Sequence, residues 1–125
     1  MDFTEAKKVG RDIDVEYEAL IFGLGYDHNW VLNNQKQYAK VAQASGEKSG
    51  IVMEVYTDLP GMQLYSGNFM ERMNGKGTAI YNKRDGICFE TQYFPDAIHH
   101  ENFDSPICKA GETYQTATAY KFLVK

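Results

Sequence analysis

The sequence predicts an all-β protein folded as an antiparallel β-sandwich. Short apolar runs recur at spacings of about ten residues, Gly, Pro and Asn turns separate them, and helical periodicity is scarce. Residues 12–19 are ambiguous. Ile13, Val15, Tyr17 and Ala19 alternate with acidic residues as in a strand, yet Ile13, Tyr17 and Ile21 would also line one helix face. Residues 23–29 read as a turn-rich loop entering a short strand, Trp30-Val31-Leu32. Asn33-Asn34-Gln35-Lys36 then reads as a hairpin connection toward a strand over 38–42. A β-branched run over 51–57 is closed by Asp58-Leu59-Pro60-Gly61, and extended structure resumes over 63–69. Residues 74–77 read as a flexible loop and 95–106 as polar and irregular. Residues 114–124 read as a terminal strand with Tyr114, Thr116, Thr118, Tyr120, Phe122 and Val124 on one face.

At 125 residues the chain falls in the one-domain range, and its net charge of -4 is mild. Phosphate binding wants clustered Lys and Arg, so a nucleic-acid partner is not expected. The longest apolar run, residues 19–22, excludes a membrane helix, and no signal-peptide pattern opens the sequence. Cys88 and Cys108 make no disulfide framework and read as free thiols of a cytoplasmic protein. His28 and the adjacent His99-His100 lack metal-ligand spacing, so no metal is expected.

The most informative run is residues 86–97. It carries Glu90 inside what otherwise reads as a buried strand. Alternation puts Ile87, Phe89, Thr91 and Tyr93 on one side and Cys88, Glu90 and Gln92 on the other. A glutamate there is costly to bury unless paired or used, which makes it a candidate catalytic base. The competing reading is the exposed face of a half-buried sheet.

Three motifs stand in fixed order: Gly25-Tyr26-Asp27-His28-Asn29-Trp30, the run from Pro60 through Gln63 and Ser66-Gly67-Asn68 to Phe69, and Phe89-Glu90-Thr91-Gln92. With Pro95-Asp96-Ala97 and Gly111-Glu112-Thr113-Tyr114 they closely resemble the C-terminal portion of the aldose 1-epimerase (galactose mutarotase) family, over nearly the whole chain. The resemblance implies the C-terminal part only of a large antiparallel supersandwich with an open cleft, so that residues 1–125 form a single partial domain. It implies cofactor-free interconversion of the α and β anomers of an aldohexose, galactose or glucose.

Glu90 matches the family's catalytic base, Asp27 an aspartate that hydrogen-bonds sugar hydroxyls, and Gln63 a pocket glutamine of some members. Read alone, Asp27 is more often a turn aspartate stabilising its own backbone than a ligand residue, and Gln63 fits a pocket role and cross-strand hydrogen bonding evenly. Trp30, Tyr65, Phe69 and Tyr93 could stack on a sugar but suit a core as well. Glu54 reads as solvent-facing or structural and Glu71-Arg72 as a surface pair.

Partial desolvation beside Phe89 and Tyr93 would suit Glu90 as a base. The family's acid histidine, a second pocket histidine and an arginine lie upstream of these motifs and have no counterpart in the chain. His28 adjoins Asp27 instead, and His99-His100 reads as a loop feature. The expectation is therefore a fragment, or a shortened reading frame, with little activity alone. A non-catalytic carbohydrate-binding module and an orphan fragment that self-associates through exposed strand edges are the alternatives.

Overall fold

Eight strands and one short helix form in this computed structural model, which describes residues 1–124. The chain divides into two compact units, residues 1–28 with 64–88, and residue 29 to residue 63 with residue 89 onward. Strands β1 (Asp27–Val31), β4 (Gly61–Tyr65) and β7 (Cys88–Gln92) form one sheet in the order β1-β4-β7.

In the first unit, helix α1 (Glu18–Gly23) buries Leu20 and stops at Leu24, whose left-handed backbone (φ 52°) ends the helical bonding. Of residues 12–19, ambiguous in sequence, the first six form turns and irregular backbone and the last two open helix α1. The entry to β1 is held by side chains. The Ser66 hydroxyl donates to Tyr26 O at 3.1 Å and accepts from Tyr26 N–H at 3.0 Å. Asn68 Nδ2 donates to Gly23 O at 2.7 Å and Tyr26 O at 2.8 Å. This clasp turns the chain away after Tyr65, so the extended run expected to reach residue 69 ends four residues early. Gly25 (φ 135°) lies so close to the Asn68 amide that a methyl group there would clash with it. Residues 74–77 are only partly loop, since β5 (Met73–Asn74) pairs with β6 (Ile80–Tyr81) across them.

The second unit holds a three-stranded antiparallel sheet in the order β2 (Ala39–Ser45), β3 (Ile51–Thr57), β8 (Thr118–Val124). The register runs Ala39↔Thr57 to Ser45↔Val52 on one side of β3 and Ile51↔Val124 to Thr57↔Thr118 on the other. β8 begins four residues later than expected. The Ala117 N–H donates to the Asp58 carboxylate instead of entering the ladder, and the Thr116 hydroxyl donates to the same carboxylate.

Val55 and Thr57 are fully buried on one face of β3. On the other face, Glu54 accepts from Lys40 Nζ at 3.1 Å and Tyr56 Oη at 2.9 Å, with Lys121 Nζ 3.6 Å away. Of the two readings of Glu54, the structural one holds. The Lys40 and Tyr56 donors keep its carboxyl below the usual glutamate range.

Two predictions follow from these contacts. Asn68→Ala removes the side-chain donor to Gly23 O and leaves Tyr26 O to Ser66 alone, and urea unfolding should show a loss of about 1–3 kcal/mol. For Glu54, the depressed value means its contribution is full above the ordinary 4.5 and fades as pH falls through the lowered value. Glu54→Gln should therefore lower the melting temperature at neutral pH and flatten the acid limb of its pH profile.

Candidate active site

β7 is the end strand of its sheet, and alternation gives it two different faces. The Phe89 and Thr91 side is committed to the second sheet. Thr91 Oγ1 lies 2.6 Å from Thr118 Oγ1, which lies 3.1 Å from Thr57 Oγ1, and Tyr120 Oη donates to Phe89 O at 2.6 Å. Glu90 and Gln92 therefore point the other way, and Gln92 Nε2 donates to Asn29 Oδ1 at 3.3 Å. A Cβ on Gly61 would lie 2.6 Å from Asn29 Oδ1, so Gly61 faces the Asn29 side too. Gln63, two residues on, shares that face. Within the second unit, Asn29, Gln63, Glu90 and Gln92 thus form one polar face opposite the sheet-to-sheet packing.

Glu90 itself is exposed, and its side chain makes no hydrogen bond or ion pair with other described residues. This corrects the buried-strand reading of 86–97, since Cys88 and Glu90 are exposed and Phe89, Thr91 and Gln92 half-buried. The cause is the strand's position: it has one neighbour in its sheet and packs against a second sheet on one side only.

Gln63 is half-buried on the neighbouring strand β4. Asp27 opens β1 in the first unit, where it is half-buried and its N–H donates to His28 Nδ1 at 3.0 Å. It is a strand residue, which corrects the loop reading of 27–29. Because His28 Nδ1 accepts that bond, the ring hydrogen belongs on Nε2, which donates to Ala19 O at 3.1 Å. His28 thus ties β1 to α1. His99 and His100 both engage Asp96 around the short 3₁₀ turn Ala97–His99, the second at 3.4 Å. They are loop features, as read from the sequence.

Of the four aromatics, Trp30 and Tyr93 are half-buried, while Tyr65 stacks on an exposed Phe69 at 6.3 Å in the first unit. Asn29 was missed as a candidate, although its spacing two residues after Asp27 marked it. Among the described residues, no group of three or more His, Cys, Asp or Glu could hold a metal, and no helix is long and apolar enough to cross a membrane.

A sequence model of the family described as aldose 1-epimerase matches residues 1–121. The chain belongs to the aldose 1-epimerase family. It is 42% identical to human galactose mutarotase and 43% identical to the bovine one, over 101 residues covering 80% of the chain and 30% of either relative. It is 34% identical to the aldose 1-epimerase of Escherichia coli over 106 residues, 81% of the chain and 30% of that protein. The chain thus spans about 30% of the length of the curated relatives it matches. Chemically, the polar face offers the side-chain amides of Asn29, Gln63 and Gln92 and one exposed carboxylate, that of Glu90.

Gly61 is the tightest backbone point of this face. Gly61→Ala would press a methyl into the Asn29 amide and the Phe94 ring, 2.9 Å from its Cδ1. Denaturant unfolding should show a loss of about 1–3 kcal/mol, and the Asn29 and Gln92 side-chain amide resonances should move.

Proposed function

We propose that this chain supplies the base and part of the sugar site of an aldose 1-epimerase acting on galactose or glucose. The observation that carries the reading is the placement of Glu90 and Gln63, on neighbouring strands, on one polar face of the second unit. Its exposure leaves the Glu90 carboxylate reachable by a sugar hydroxyl.

In this mechanism Glu90 takes the proton of the anomeric hydroxyl. The electron pair of that O–H forms the carbonyl, the bond between C1 and the ring oxygen breaks, and the ring oxygen takes a proton from an acid. Rotation about C1–C2 and the reverse steps give the other anomer. Pairing base with acid avoids both a free alkoxide and a free oxonium, and each positioned group contributes about 10²–10⁴-fold. No cofactor enters. Gln63 orients ring hydroxyls from β4, and Asp27 is assigned to sugar hydroxyls by its match to the family motif.

The acid is a histidine of the segment corresponding to the remaining length of the relatives, and this chain is the C-terminal partial domain. The chain alone therefore has little mutarotase activity. Self-association is part of this reading: in the second unit, edge strand β8 presents Tyr120, Phe122 and Val124 at 44%, 65% and 81% exposure.

Polarimetry tests both halves of the proposal. The 125-residue chain should not speed mutarotation of α-galactose at an enzymatic rate, and a normal rate would overturn the missing-acid assignment. In a longer chain containing these residues, Glu90→Gln should cut kcat by about 10²–10⁴-fold while sugar binding changes little. Retained turnover in that variant would refute the base assignment.

A further inference from the structure

The second unit holds a pocket of about 260 Å³ that includes none of the four residues of the polar face. Lys36, Asp58, Leu59, Tyr93, Asp104 and Gln115 are among its lining residues. Its lining includes the buried Leu59 and the half-buried Tyr93, whose ring lies 6.4 Å from that of Tyr114 between centroids. Burial pushes the Tyr93 hydroxyl above its ordinary value, so it stays neutral and can donate.

The walls are polar in a particular way. The Lys36 ammonium is committed to the Asp104 carboxylate, which leaves the pocket without an uncommitted cation and disfavours phosphates and carboxylates. Asp58 is fixed by the Thr116 hydroxyl and by the Ala117 N–H at 3.1 Å. Those donors hold its carboxyl below the usual aspartate range, so it is an anionic acceptor at neutral pH. Gln115 adds an exposed amide with both donor and acceptor capacity.

A lining that combines an aromatic ring and aliphatic carbon with carboxylate acceptors and an amide suits a neutral ring with C–H on one face and hydroxyls at its rim. The volume lies below the roughly 300–1,000 Å³ of pockets for drug-sized ligands and is suited to one such ring. We infer that this pocket is a second saccharide site, binding one neutral sugar ring independently of the Glu90 face. The ring stacks on Tyr93, its hydroxyls donate to Asp58, and Gln115 bonds a further hydroxyl. This site does not depend on Glu90 acting as a base.

The test is an amide NMR titration of the 125-residue chain with galactose, with lactose, and with inorganic phosphate as the anion control. Saturable shifts at Tyr93 and at the Gln115 side-chain amide are expected with both sugars and none with phosphate. Gln115→Ala replaces an exposed side chain and should fold normally; it should weaken the fitted affinity about tenfold, the loss of one good hydrogen bond. Tyr93→Ala should abolish saturation, while Glu90→Gln should leave these shifts unchanged. Shifts that rise linearly with sugar, appear with phosphate, or persist unchanged in Gln115→Ala would overturn the inference. Shifts at Gln63 and Glu90 report the other face separately, so loss of one site is distinguishable from loss of the other.

Discussion

A short chain of hydroxyls governs what the second unit can do. Thr57, fully buried on β3, meets Thr118 on β8, and Thr118 meets Thr91 on β7. These contacts fix which side of β7 faces the second sheet. Strand alternation then leaves no freedom for Glu90, which must project from the opposite side. A slip of one residue in β7 would exchange the faces and send Glu90 toward Thr118. The position of the carboxylate is therefore a consequence of packing two or more bonds away from it.

The polar face gains its shape from an absence as much as from side chains. Gly61 leaves room for the Asn29 amide, and Asn29 in turn accepts from Gln92. The amides are thus partly spoken for by one another, while Glu90 stays uncommitted on the same face. The second pocket follows a different logic, with its cation neutralised by Asp104 and its working acceptor, Asp58, held by backbone and hydroxyl donors.

Much of this was legible in the sequence. The alternation of 87–93 gave the correct two faces of β7, and the β-branched run 51–57 gave β3 with its observed bounds. The errors have local physical causes. Residues 114–117 carry strand-like residues, yet at their end the Ala117 N–H and the Thr116 hydroxyl turn to the Asp58 carboxylate. Residues 66–69 look extended, yet Ser66 and Asn68 bond back to Tyr26 and Gly23. Residues 27–29 look like a loop because their side chains are polar, but that polarity belongs to strand residues half-buried in β1. For Glu90 the residue types left a buried strand and an exposed face both open, and the strand's place at the end of its sheet decides for exposure. Asn29 shares a strand face with Asp27 by spacing, and its bond from Gln92 and its place over Gly61 join it to the polar face.

The most direct examination of the Glu90 face is a crystal structure of the protein soaked in galactose. The account expects a sugar ring against β4 and β7, with a Glu90 carboxylate oxygen within hydrogen-bonding distance of the anomeric hydroxyl and Gln63 on a ring hydroxyl. Galactose absent from that face at saturating concentration, or seated there with Glu90 turned away from C1, would contradict it.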